Sequence, residues 1–345
     1  MSDRFFERIP PPRKVAIVRA SRIGDFICAT PALRALRSAL PQAEITLIAL
    51  PLMRDLVIRS PHLDRFVAFP GFPGIAEQFF DARRALAFFA EMQAERFDLA
   101  IQLHGSGVYA NPFTLMLGAQ ATVGFIRQGD SPGRLDAALP FPEQGHEVSR
   151  TLALPIFLGA QPQGEQTEFP LWPEEREMAR ALLAQAARPL IGLHPGAREA
   201  GKCWPAERFA KLGATLWQRY GGTLVVIGGA DEQPAAELIA QACGAPCLNL
   251  AGRTSLPELG AVVEQLALLV TNDSGPAHVA YALGTPTVTL FATTDPARWG
   301  PPATPRHRVL QAPPADQGTG SIATITVDEV AQAAEMALMD AKAHL

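Results

Sequence analysis

From Lys14 onward, short β-branched runs alternate with stretches of helical periodicity, the pattern of parallel sheets assembled from βαβ units. KVAIVRA (14–20) reads as a first strand, PALRALRSAL (31–40) as a helix opened by proline, and EITLIAL (44–50) as the next strand. A helical stretch over 76–96 leads into FDLAIQLH (97–104), a further strand. Between Gly159 and Pro173 the rhythm gives way to Gly, Pro and Gln, a composition that suits a linker better than a core element. A second series then runs through PLIGLHPG (189–196), a helix over 205–220, GTLVVIGG (222–229), a helix from Glu232, LALLVTND (266–273), a helix from Pro276 and TPTVTLF (285–291). These series predict two α/β domains, over 1–165 and 166–326. Residues 327–345 have helical composition and no strand after them, which leaves them free to pack back across either domain, the N-terminal one included.

A length of 345 residues suits two domains of roughly 150 each. With 48% hydrophobic and 19% charged residues there is material for two cores, which excludes a disordered or fibrous chain. The formal charge of -4 supplies no general field for nucleic acid, so a nucleic-acid partner is disfavoured. Only Cys243 and Cys247, of four cysteines, are close together, without a second pair to complete a zinc site; a reduced, metal-free interior is expected. The opening MSDRFFERIPPPRK is charged and proline-rich where a signal peptide would be apolar. No run approaches the roughly 18 apolar residues of a membrane span. These features predict a cytoplasmic protein whose contact with a membrane would be peripheral.

In open α/β sheets ligands sit at the carboxyl ends of strands, beside helix N-termini. Three such loops carry polar chemistry: SRIGD (21–25), HPGAREAGK (194–202) and TNDSGPAH (271–278). Two tempting matches fail. Gly105 to Ala110 fits the dinucleotide pattern G-x-G-x-x-G/A, but no acid stands at a second strand end about 20 residues on, Asp130 lying in a Gly/Ser/Pro loop. Gly196 to Lys202 resembles a P-loop, yet Cys203 replaces the magnesium-binding hydroxyl and Trp204-Pro205 interrupts the helix. Lys202 survives that rejection as a candidate phosphate ligand. Simple capping of a helix accounts for one polar residue of TNDSGPAH, but not for Asn272, Asp273, Ser274 and His278 at one strand end, a cluster suited to a sugar diphosphate. Asp25 is either a helix cap or a general base for a substrate hydroxyl. His104 ends its strand at the same mouth.

Taken in order, VAIVRASRIGDFICATPALRALR, FDLAIQLHG, IGLHPGAREAGKCWPAERFAKL, VVIGGADE, NLAGRTSLPEL and VTNDSGPAHVAYALGTPTVTLFATTDPARWGP resemble glycosyltransferase family 9, the ADP-heptose:lipopolysaccharide heptosyltransferases. The blocks extend from about residue 14 to residue 301, nearly the whole chain. The resemblance implies the GT-B architecture: two Rossmann-like domains with parallel sheets facing a central cleft, the acceptor held mainly by the first and the nucleotide-sugar by the second. It implies transfer of a heptose or related sugar from an ADP-sugar, ADP-heptose in the family, to an inner-core lipopolysaccharide or related surface-glycan acceptor. The anomeric centre is inverted, with neither metal nor cofactor. Such an acceptor is lipid-linked, which would place the work at the inner face of the cytoplasmic membrane.

By the same resemblance Asp25 matches the family's proposed base, Lys202 the lysine offsetting charge on the departing diphosphate, and Glu232 an acid on the nucleotide ribose. Asp273 matches the aspartate holding the donor sugar, with Ser274, Gly275 and His278 beside the phosphates. For a phosphorylated acceptor, residues 1–170 contain 17 basic and 17 acidic side chains, so local groups must serve: Arg22, His104 and Arg127, with Arg134 nearby. The chain departs from the family where DLQG reads QLHG, with Gln102 and His104, and where Arg198-Glu199 occupies a loop usually smaller or more neutral. A nucleotide-sugar epimerase and a non-catalytic nucleotide-sugar-binding protein of the same fold are the competing expectations.

Overall fold

Val15 to Val18 and Leu268 to Val270 are inaccessible to solvent, as strands covered on both faces by helices must be. The structure, a computed structural model, describes residues 4–313 and 321–343. Two compact units divide between Glu168 and Phe169. Among the described residues the first holds β1 (Lys14–Val18), β2 (Glu44–Ala49), β3 (Arg65–Ala68), β4 (Leu99–Gln102), β5 (Ala121–Ile126) and β6 (Ala137–Pro140). They form one parallel sheet in the order β3-β2-β1-β4-β5-β6. The second holds β7 (Leu190–His194), β8 (Thr223–Val226), β9 (Cys247–Asn249), β10 (Leu268–Asn272), β11 (Thr287–Phe291) and β12 (His307–Gln311). These are parallel too, in the order β9-β8-β7-β10-β11-β12.

Both sheets start centrally, wind outward one way, then return and wind the other way. The reversal lies between β1 and β4 in the first unit and between β7 and β10 in the second. At such a switch point successive loops diverge and leave a crevice at the carboxyl ends of the strands. Val18 stands opposite Gln102 at one and His194 opposite Thr271 at the other.

The first long helix differs from expectation. It spans Ile23–Ala39, with Pro31 inside rather than at its start. Proline cannot donate to the carbonyl four residues back, and here the Thr30 hydroxyl donates to that Ile27 carbonyl at 2.8 Å. The helix therefore continues, and Asp25 falls on its first turn. The helix expected over 76–96 is shorter, Ala82–Glu95, with Asp81 capping it through the Arg84 amide.

The expected linker is tied down at its end. Glu168 donates its amide to Thr30 Oγ1 at 2.9 Å and its carboxylate takes the Arg34 guanidinium. Phe169 is buried in the second unit, its ring filling the space a side chain at Gly260 would need. Pro173 opens the helix Pro173–Leu182 instead of belonging to the linker.

The terminal helix, Val327–Ala343, packs on the second sheet, against the helix Ala206–Tyr220 and β10 to β12, so of the two domains open to it in the sequence it takes the second and not the N-terminal one. Its stripe of Val330, Ala333, Ala334, Ala337 and Leu338 is buried in the second unit's core, small residues at helical spacing that allow close approach. Trp204 anchors the same core: its indole stands edge-on to Phe209 at 5.0 Å and donates to the Ile325 carbonyl at 2.9 Å. Trp204→Ala is expected to cost the second unit about 3–5 kcal/mol, read from its urea-unfolding midpoint. An unmoved midpoint would show that the indole is not an anchor.

Candidate active site

At the first switch point β1 delivers Arg19, Ala20 and Ser21 to the carboxyl edge. Arg22 takes the N-cap position of the helix Ile23–Ala39 without a side-chain cap bond, so Asp25 is not the cap. Its carboxylate sits in the first helical turn, where the exposed amide ends favour negative charge. Beneath it lies Arg19, 2% exposed. Arg19 donates from Nε and Nη2 to the Asp25 carbonyl at 3.0 and 2.6 Å, and from Nη1 to the Leu103 carbonyl at 2.6 Å.

Gln102, fully buried, shapes the turn after β4. Its Oε1 accepts from the Phe125 amide at 2.9 Å and its Nε2 donates to the carbonyls of His104 and Gly105. A carboxylate here would face those two carbonyls without a proton, so Gln suits the local main chain. Burial first, and Arg19 second, hold the His104 imidazole below its ordinary range against the opposing pull of Glu77 and Asp25. Arg127 is 65% exposed and engaged by Asp130 of its own loop at 3.0 Å; Arg22 and Arg134 are exposed. Gly107, part of the rejected dinucleotide pattern, adopts φ 81° where a Cβ would strike the Asn111 side chain and the Phe125 carbonyl. The glycine serves the protein's own packing.

At the second switch point buried Asn272 pins the 195–204 loop over the strand ends. Its Nδ2 donates to the carbonyls of Pro195 and Gly196 at 2.8 and 3.2 Å, and its Oδ1 accepts from the Trp204 amide at 3.1 Å. The loop ends in a 3₁₀ turn, Ala200–Lys202. This turn brings Lys202 Nζ to 3.7 Å from Asp273 Oδ2, with the two side chains only 15% and 10% exposed. The Thr294 hydroxyl donates to the same Asp273 oxygen. Cys203 directs its thiol to the carbonyls of Ala197 and Glu199 at 3.7 Å, and burial pushes that thiol up, unlike the hydroxyl of a P-loop. Glu232 accepts from the Gly229 amide at 2.6 Å and lies against Gly196, where a Cβ would come within 2.5 Å of its carboxylate.

Ser274 takes the N-cap position of the helix Gly275–Leu283, but its hydroxyl makes no cap bond. It donates to the Asn272 carbonyl at 3.0 Å and lies 3.2 Å from His194 Nδ1, which is also 3.0 Å from Thr271 Oγ1. His278, one turn into that helix, is buried with its ring edge-on to Tyr281 and Trp299 at 5.5 and 6.1 Å. The structure thus brings Lys202, Asp273 and Thr294 together, and separately joins Ser274 to His194 and Thr271. A cation that keeps a little exposure beside a carboxylate can meet a phosphate and a sugar hydroxyl at once.

The model of glycosyltransferase family 9 (heptosyltransferase) matches residues 85–318. The chain belongs to that family. Among its relatives, the lipopolysaccharide heptosyltransferase 3 of Escherichia coli K12 is 28% identical over 287 residues, 81% of this chain and 82% of that protein. In structure the chain resembles the E. coli ADP-heptose lipopolysaccharide heptosyltransferase II, with a TM-score of 0.79, 24% identity and coverage of 95% and 99% of the two chains. It also resembles E. coli heptosyltransferase WaaC solved with ADP, with a TM-score of 0.72, 22% identity and coverage of 92% and 98%. The fold is the GT-B fold of these family 9 glycosyltransferases.

Arg19 and Thr294 carry no signal of their own in the sequence, and His194 stands there only as the first residue of the 194–202 loop. Arg19 ends an apolar run like any surface arginine, and Thr294 reaches Asp273 only because β10 pairs with β11. Burial holds His194 down to about 4; burial, then Arg306, holds His307 down to about 4 as well. Unfolding restores their ordinary value of 6.5. Between these limits the unfolded chain binds more protons, so stability falls as pH falls from 6.5 towards 4. His194→Gln is expected to flatten that slope by one proton's share, at most about 1.4 kcal/mol per pH unit, in urea unfolding at stepped pH. An unchanged slope would show that His194 already titrates normally in the fold.

Proposed function

We propose that this family 9 glycosyltransferase moves a heptose from ADP-heptose to a lipopolysaccharide inner-core acceptor with inversion at the anomeric carbon. The observation that carries this reading is the Lys202–Asp273 pair, 3.7 Å apart at the carboxyl end of β10. Lys202 takes the diphosphate and offsets the charge that develops as it departs. Asp273, fixed by Thr294, accepts from donor-sugar hydroxyls. Glu232 meets the ribose, while Ser274, Gly275 and His278 line the helix start beside the phosphates. The donors named for the E. coli relatives support the nucleotide.

In the first unit Asp25 is the base. It takes the proton of the acceptor hydroxyl as that oxygen bonds to the anomeric carbon and the carbon–diphosphate bond breaks, the electron pair leaving with ADP. Arg22, His104 and Arg127 serve the acceptor. Among the described residues no helix is long and apolar enough to cross a membrane. In this reading the chain meets its lipid-linked acceptor peripherally, at the cytoplasmic face.

Incubation with ADP-heptose and a lipid-linked inner-core acceptor lacking the terminal heptose is expected to add one heptose, seen by mass spectrometry. Transfer from a UDP- or GDP-sugar instead would overturn the donor. Asp25→Ala is expected to abolish transfer while leaving ADP affinity unchanged; transfer at the wild-type rate would remove Asp25 from the chemistry. Lys202→Ala is expected to weaken ADP binding by about 1.5–3 kcal/mol, and an unaltered dissociation constant would show that the lysine does not meet the diphosphate.

A further inference from the structure

We infer that Arg19 is a positioning residue for the acceptor-side chemistry, fixing Asp25 and His104 through their main chain. The inference rests on the reading of Asp25 as the base. A guanidinium 2% exposed carries a large desolvation cost, and replacing buried ion pairs by apolar groups of similar volume is often neutral or stabilising. Stability alone therefore explains its presence poorly, whereas its geometry points to a task. Nε and Nη2 converge on the Asp25 carbonyl at 3.0 and 2.6 Å. Nη1 reaches the carbonyl of Leu103, the residue before His104, at 2.6 Å. One planar fork thus fastens the first turn of the helix that bears Asp25 to the end of β4, across the β1/β4 switch point.

A buried acid stands close to the fork. Glu147 Oε1 stands 4.0 Å from Arg19 Nη2, beyond hydrogen-bond reach, so it offsets charge without drawing the guanidinium off the two carbonyls. Glu147 takes a hydrogen bond from Arg150 at 2.9 Å. Arg150 in turn donates to the Pro142 carbonyl at 2.6 Å and lies over the Phe141 ring at 4.4 Å. Lysine carries the same charge, but its three donors radiate from one nitrogen and do not reproduce the planar fork that spans both carbonyls.

Arg19→Lys, assayed well below its melting temperature, is expected to lower kcat about 10- to 100-fold, the scale of a small misplacement of a reacting group. The ADP dissociation constant should stay near wild type, and acceptor KM should rise, through His104, by less than kcat falls. Arg19→Met, which also removes the charge, should match Arg19→Lys or fall below it; if it fails to fold, the lysine variant carries the test. Wild-type kcat in Arg19→Lys, with Asp25→Ala inactive, overturns the positioning role and leaves the base reading intact. Full activity in Asp25→Ala overturns the base reading itself. A change in Arg19→Lys confined to melting temperature assigns Arg19 a structural role only and overturns the inference.

Discussion

Main-chain amides and carbonyls that leave strand ends at a switch point have no neighbouring loop to pair with, yet they lie where burial forbids orphans. Three buried side chains supply their partners. Arg19 takes the carbonyls of Asp25 and Leu103, Gln102 those of His104 and Gly105, and Asn272 those of Pro195 and Gly196. Each bond satisfies a local requirement and also sets the path of a loop that carries chemistry. The site residues are consequently placed by the same bonds that allow the sheets to end, and the sites need little separate scaffolding.

The electrostatics divide along the same lines. The second unit keeps its charged pair, Lys202 and Asp273, at the edge of accessibility, where it can exchange one partner for a ligand. Behind it stand neutral groups: His194, held uncharged by burial, and the hydroxyls of Thr271 and Ser274. The first unit places its cation below the surface and its carboxylate above. Arg19 grips the main chain while Asp25 presents a side chain, so the buried charge steadies the geometry without occupying the group that would accept a proton.

Much of this was legible in the sequence for a simple reason. Strands β1, β2, β4, β7, β8, β10 and β11 are central and mostly buried on both faces, and they appear as continuous apolar runs. The edge strands β3, β6, β9 and β12 are partly exposed along most of their length, so their composition does not separate them from loops. β5 is buried, but Gly124 interrupts its run. Pro31 hid the true start of its helix because the compensating Thr30 hydroxyl is a property of the fold. Asp25, Lys202 and the 271–278 cluster could be found because polar residues at strand ends are unusual in their context. Arg19 could not, since nothing in an arginine after an apolar run shows that it turns inward. The family blocks point to the candidate residues, but the bonds that hold those residues are a matter of three-dimensional pairing.

In the proposed reading the switch point of the second unit is a donor site for an ADP-linked sugar. Calorimetric titration of the wild-type chain with ADP, UDP and GDP, then with ADP-heptose, tests it most directly. ADP is expected to bind more tightly than the other two, and the heptose to strengthen binding further. Preference for UDP or GDP, or no binding by any of the three, would contradict it.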